Sequence, residues 1–183
     1  MTNQQLEPGL SARLQALIEE GSDIFHEFDL QHRQRQWHPF VAANYSDVLQ
    51  ILLPLRQPGS MFLEWGSATG VITIMADMLG FQAYGIEIDA PLVDIARGLA
   101  AKYESGATFA AGSFLPMGYE WRDPTGDRRT GTVGEGVSGY LELQHPLEDF
   151  DIVFGYPWPG EAEIMKDVMQ RYGRPDARLI LHK

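Results

Sequence analysis

The segment Phe62-Leu63-Glu64-Trp65-Gly66-Ser67-Ala68-Thr69-Gly70 passes from an apolar run carrying one acid into five small residues. Residues 61–65 read as a strand, 66–70 as a turn, and 71–79 as a mostly apolar helix ended by Gly80. Small residues at the C-terminal end of a strand let the backbone approach a ligand closely. The helix behind them offers unpaired N–H groups and the positive end of its dipole. Crevices of this kind take nucleotide-like ligands at the switch point of an open sheet. A dinucleotide fingerprint G-x-G-x-x-G starting at Gly66 needs Gly at Ala68 and Gly or Ala at Val71, and it fails at both. The pattern that fits is acid-x-Gly-x-small-x-Gly, with Glu64, Gly66, Ala68 and Gly70.

On the C-terminal side the strand–helix rhythm continues. Residues 82–88 form a second strand candidate, and Asp89 caps a helix with Pro91 in its first turn and Leu92, Ile95, Ala96, Leu99 and Tyr103 on one face. Strands follow at 107–111, 150–154 and 177–182, with a helix over 161–172 between the last two and a short helix beginning at Tyr140. Near-continuous apolar strands alternating with helices predict an α/β fold, a doubly wound and mostly parallel sheet covered on both faces. On the N-terminal side, Leu10, Leu14, Leu17 and Ile18 share a helical face closed by Gly21, and Ile24, Phe25 and Phe28 make a second pattern. Ser46 is the expected N-cap of a helix through Val48, Leu49, Ile51 and Leu52, stopped by Pro54 and Pro58. These helices lack a core of their own. The expected organisation is therefore one domain over 1–183, a helical cap (1–57) on an α/β core (58–183). Residues 116–139 break the rhythm with two prolines and six glycines, as a mobile insertion or a lid over the active site.

The chain has 183 residues, 44% of them apolar and 21% charged, which suits one globular domain. There are no cysteines, which excludes a disulfide framework, a thiolate metal site and a cysteine nucleophile. A net charge of −11 repels phosphate backbones and anionic membranes, so nucleic acid is an unfavoured partner. The polar start carries no signal peptide pattern, and the greasiest run, 51–55, is too short to span a bilayer. The expectation is a soluble, cytoplasmic protein without membrane association. His26, His32 and His38 recur every six residues, which scatters them around a helix, so no metal site is expected. His38 belongs to the cluster Trp37-His38-Pro39-Phe40, which either folds over the pocket or packs ordinarily.

The Glu64 to Gly70 pattern resembles the first motif of the class I S-adenosylmethionine-dependent methyltransferases, and the resemblance covers residues 60–182. It implies a Rossmann-like fold, S-adenosyl-L-methionine as cofactor, and a loop of Gly66, Ser67, Ala68 and Gly70 against it. Glu64 would then lie near the methionine moiety, or be a buried acid bonded to the loop's amides. In Ala83-Tyr84-Gly85-Ile86-Glu87-Ile88-Asp89, Glu87 stands where the family's acid holds both ribose hydroxyls, a task suited to two carboxylate oxygens. Asp89 is the rival, with helix N-cap as its other role. After the third strand, Ser113 takes the place of the acid that meets the adenine amine, and Phe114 either covers the ring or is a core aromatic.

At Phe154-Gly155-Tyr156-Pro157-Trp158-Pro159, amino-methylating members carry Asp or Asn, then Pro-Pro, then an aromatic. Here Tyr156 and Trp158 occupy two of those positions and could form an aromatic wall around a cationic or planar group. The departure argues against an adenine or cytosine amine as target. The resemblance thus implies a methyltransferase acting on a small molecule or a protein side chain, by direct displacement on a nucleophile held in line. The alternatives are a catalytically inactive methyltransferase-like domain serving as a binding or interaction module, and a nicotinamide-dependent oxidoreductase. The family completes its sheet with two strands beyond the fifth, and these C-terminal strands are missing from the sequence, which ends at Lys183.

Overall fold

The computed structural model describes residues 6–32, 41–120, 133–134 and 136–182. Its elements are α1 (Pro8–His32), α2 (Tyr45–Leu52), β1 (Met61–Trp65), α3 (Val71–Met78), β2 (Gln82–Glu87) and α4 (Ala90–Lys102). They continue with β3 (Thr108–Ala111), α5 (Gly139–Leu143), β4 (Ile152–Gly155), α6 (Ala162–Tyr172) and β5 (Arg178–Leu181). The five strands are all parallel, in the order β3-β2-β1-β4-β5. The order reverses at β1, so the strand carrying Glu64 and Trp65 is the switch point of the sheet.

Period-two alternation along the strands sorts the core onto two faces. Phe62, Ala83, Phe109 and Phe154 pack with α1 to α4 on one side. Leu63, Trp65, Ile86, Ala110 and Val153 pack with Tyr140, Leu143, Met165 and Val168 on the other. Trp65 lies flat on Phe114, ring centroids 4.7 Å apart and 17° between planes, and its indole N–H donates to the Tyr140 hydroxyl at 2.8 Å. On the first face, Leu14, Leu17, Ile18, Tyr45, Val48 and Leu52 fold the N-terminal helices onto α3, as their amphipathicity predicts.

Three local expectations need correction. Gly21 does not close the first helix, because α1 continues through it to His32. A Cβ there would stand 2.6 Å from a Val71 methyl, so the missing side chain serves helix–helix approach. The N-cap of α2 is Asn44, whose Oδ1 accepts from Asp47 N–H, and Ser46 lies inside the helix. On α4 the buried face is Leu92, Val93, Ala96, Leu99 and Ala100, while Ile95 is left exposed.

The outer edge of β3 is finished by two side chains and, just beyond the strand, by a short backbone bridge between Ser113 and Ser138. Arg97 donates to the Phe109 carbonyl at 2.9 Å, Glu142 accepts from Ala111 N–H at 3.0 Å, and Ser113 N–H donates to the Val137 carbonyl at 2.8 Å. At the other edge, β5 is only partly covered and no strand follows it among the described residues. Of the expected insertion, residues 121–132 and 135 lie outside the described residues, as do 33–40 with the Trp37 to Phe40 cluster. The insertion's first arm is fastened to α6 by a Tyr119 hydroxyl donating to Asp167 at 2.8 Å.

Candidate functional site

Between β1 and α3 the backbone turns left-handed at Gly66 (φ 71°), Ala68 (φ 44°) and Gly70 (φ 78°). Two successive N–H groups, of Gly66 and Ser67, donate to the single Ile86 carbonyl, and Gly70 N–H closes the turn on the Ser67 carbonyl at 2.7 Å. Ala68 adopts a conformation that costs an L-residue about 1 kcal/mol, so the loop demands glycine-like geometry even where its residue is alanine. At Gly70 a Cβ would stand 2.6 Å from the Phe109 ring and 2.8 Å from Ala96, which seats the loop on α4 and β3.

Glu87, at the tip of β2, is a hub. One carboxylate oxygen accepts from Ala68 N–H at 2.9 Å and the other from Asp89 N–H at 2.9 Å. Burial pushes its pKa up, and those two amides pull against the shift. The Ile88 backbone N–H is a third donor to the carboxylate, which keeps some acceptor capacity for a ligand hydroxyl. Asp89 occupies the N-cap position of α4 without making a side-chain cap bond, and its Oδ1 is buried without a partner. Ser67 Oγ is also buried and unpartnered. Orphaned buried polar atoms are uncommon and call for an explanation. Two of them beside one loop mark it as a place where hydrogen-bonding capacity is unspent.

Glu64 is 5% exposed and accepts from the Thr73 hydroxyl at 2.5 Å and from Thr73's backbone. The loop amides are thus not its partners; the first turn of α3 is. Burial, with the nearby Glu87 charge adding to it, pushes its pKa up to about 8. Tyr45, also buried, is held by Thr69's side chain, and burial together with the Glu64 charge raises its pKa well above the ordinary tyrosine value.

Glu64, Gly66, Ser67 and Ala68 meet Tyr156, from the end of β4, around one crevice. Val41, Ala42, Ala43 and Tyr45 close it from the N-terminal side. Those residues escaped the sequence reading, although they directly follow the Trp37 to Phe40 cluster that drew attention to this stretch. The enclosed space is about 30 Å³, enough for a water or two, so a larger ligand must lie over its mouth or part its walls. A larger cavity of about 570 Å³ opens between α5 and α6, lined by Tyr140, Leu141, Gln144, His145 and Tyr172, and shares no residue with the crevice.

Other expected site residues sit elsewhere. Ser113 Oγ donates to the Gly134 carbonyl at 2.6 Å and accepts from Leu115 N–H, so it fastens the insertion's return arm. Phe114 is 2% exposed and gives its ring to Trp65. Trp158 is half-buried, and its backbone N–H donates to Glu161 at 2.9 Å. Glu161's other oxygen accepts from Val133 N–H at 2.9 Å, a bridge between the β4 tip and the return arm that no sequence pattern signalled.

No protein-family model matches the sequence, and no curated protein matches it significantly. Solved structures do. An RNA methyltransferase from Salinibacter ruber, in complex with S-adenosyl-L-homocysteine, is 18% identical with a TM-score of 0.52, covering 79% of this chain and 78% of that one. A precorrin-6y C5,15-methyltransferase from Geobacter metallireducens is 16% identical with a TM-score of 0.52, covering 81% and 68%. A SAM-dependent methyltransferase from Thiobacillus denitrificans, also with S-adenosyl-L-homocysteine, is 14% identical with a TM-score of 0.50, covering 84% and 53%. At these identities the likeness lies in the fold, and the chain has the class I S-adenosylmethionine-dependent methyltransferase fold: a Rossmann-like, doubly wound parallel sheet with N-terminal helices packed on it.

Proposed function

We propose that this protein is an S-adenosyl-L-methionine-dependent methyltransferase acting on a small molecule or a protein side chain. The observation that carries the reading is the hub at Glu87: a buried carboxylate at the tip of β2, tied to the left-handed loop after β1. The residues present suit the cofactor. Glu87 and the orphaned Asp89 Oδ1 offer acceptors for a vicinal diol, while Ser67 Oγ and the N-terminal end of α3 offer polar contacts along the loop. Gly66, Ser67, Ala68 and Gly70 would hold the cofactor through backbone, and Glu64 would stand on its methionine side.

Ser113 and Phe114 contribute less directly, since the hydroxyl and the ring already serve the return arm and the core. When bound, the cofactor supplies a methyl group on a sulfonium, ready for direct displacement. The protein's part is to orient the acceptor and exclude water. Tyr156, at the crevice, and Trp158, held by Glu161, are the candidates for the acceptor's walls. A net charge of −11 favours a metabolite or protein acceptor over nucleic acid.

The test is calorimetric titration with S-adenosylhomocysteine on the native chain, Glu87→Ala and Glu87→Gln. The last keeps an acceptor for Ala68 N–H, so it separates lost ligand contact from lost loop geometry. Micromolar binding weakened at least tenfold, about 1.4 kcal/mol, is expected for Glu87→Ala. A folded native chain that binds nothing would turn attention to partner proteins.

A further inference from the structure

Opposite the crevice, at the N-terminal ends of the parallel strands, lies a polar cavity of about 400 Å³. Its charged walls are Arg56 after α2, Asp151 just before β4, Arg174 and Asp176 after α6, and Arg178 opening β5. The two acids are already spent. Arg174 donates to both of them, and the second oxygen of Asp151 accepts from Met61 N–H at 2.7 Å. The other two guanidiniums are not spent. Arg56 sets its Nε–H on the Leu79 carbonyl at 3.0 Å, which anchors the group and leaves both Nη nitrogens without a protein acceptor. Arg178 is fixed through its backbone, whose N–H donates to the Asp151 carbonyl at 2.9 Å, while its side chain has no partner among the described residues. In a chain of net charge −11 an unpaired cation is the exception. Among the described residues Arg97, Lys102, Lys166, Arg171 and Arg174 all stand in ion pairs with acids, and only Arg13, Arg56 and Arg178 do not. Of those three, Arg56 and Arg178 line this one cavity.

We propose that this cavity is a second binding site, for the phosphate group of a small phosphomonoester, with Arg56 and Arg178 as its ligands. A guanidinium presents parallel N–H donors that match two oxygens of a phosphate, and its charge persists at every physiological pH. Two such groups call for an anion with two charges, which a phosphomonoester carries near neutral pH and a phosphodiester does not. Arg174 does not compete for the anion, because Asp151 and Asp176 hold it, and by holding it they are themselves neutralised. The volume exceeds what a bare phosphate fills and leaves room for the body of the ester. The cavity shares no residue with the crevice, so the inference stands independently of the cofactor reading.

The experiment is an amide chemical-shift titration of the full chain with inorganic phosphate, glycerol 3-phosphate and dimethyl phosphate, with ionic strength held constant by sodium chloride. Glycerol 3-phosphate should give saturable shifts at the amides of Ile152 and Arg178 and bind at least as tightly as inorganic phosphate. The singly charged diester should bind about tenfold more weakly. Arg178→Gln, whose side chain has no protein contact to lose, should weaken the monoester by about tenfold, and Arg178→Lys by less, because it keeps the charge without the fork. Arg13→Gln removes an unpaired charge from α1, remote from the cavity, and should leave the affinity within about twofold. Absence of saturable shifts, equal binding of the diester, or indifference to Arg178→Gln would each overturn the proposal. So would shifts centred on Gly66 to Gly70, which would put the anion on the loop before α3 instead.

Discussion

Two regions at the C-terminal edge of the sheet are built differently. At the β1–β2 end, the loop, Glu87, Glu64 and Thr73 all come from one contiguous strand–helix–strand stretch. At the β3 and β4 tips, Ser113 and Glu161 take their partners from Gly134 and Val133, in the insertion's return arm. The first arrangement is a local device that a short motif can specify. The second is assembled from segments that meet only because the sheet has brought the strand tips level.

The sharpest way to break the local device is Gly70→Val. A side chain at φ 78°, aimed at the Phe109 ring 2.6 Å away, combines a left-handed penalty with overpacking. A loss of about 4 kcal/mol in chemical denaturation is expected, together with loss of S-adenosylhomocysteine binding. Unchanged stability would mean that the loop is not seated on α4 and β3 as described.

Glu64 provides the next largest effect, through pH. Its pKa is raised from 4.5 to about 8, so the folded protein holds a proton that the unfolded chain gives up. The native state is therefore favoured most below pH 4.5 and loses that advantage as pH rises towards about 8. Relative to Glu64→Gln, the unliganded native chain should lose about 4 kcal/mol between pH 4.5 and 8, read from denaturation midpoints. A difference between the two that is flat with pH would remove Glu64 from the list of buried, uncompensated acids.

Glu161→Ala tests the assembled end. It leaves the N–H groups of Val133 and Trp158 without their acceptor, a cost of about 2 kcal/mol. Hydrogen exchange should quicken at both amides together, while S-adenosylhomocysteine affinity stays within about twofold. If affinity falls as far as for Glu87→Ala, the two ends are one unit and the contrast drawn above fails. The smallest effect runs the other way. Ala68→Gly relieves a left-handed alanine at φ 44° and should stabilise by about 0.5–1 kcal/mol without changing binding, measured on the same titrations.

Legibility followed the same division. The strands and the loop were readable because period-two apolar runs and a cluster of small residues act over five or six positions. Gly21 misled for an equally physical reason. A glycine in a helical pattern reads as a stop, yet here it is the point where α1 touches Val71, a contact that helical periodicity cannot contain. Asn44 outranked Ser46 as a cap because α2 begins at Tyr45, whose ring is buried with the Val71 side of the core. Phe114 could have faced a ligand or the core, and the orientation of Trp65 decided for the core.

The sequence by itself determined the order of strands and helices, the left-handed turn, and the acids at the ends of β1 and β2. Each of those is dictated by side-chain period, backbone sterics or charge within a few neighbouring residues. Tertiary structure alone decided which polar atoms are satisfied and which are left open. Glu87 is spent partly on Ala68, Ser113 Oγ on Gly134 and Leu115, and Ser67 Oγ and Asp89 Oδ1 on nothing. A hydrogen bond depends on position to within a few tenths of an ångström, and only the packed sheet sets positions that finely.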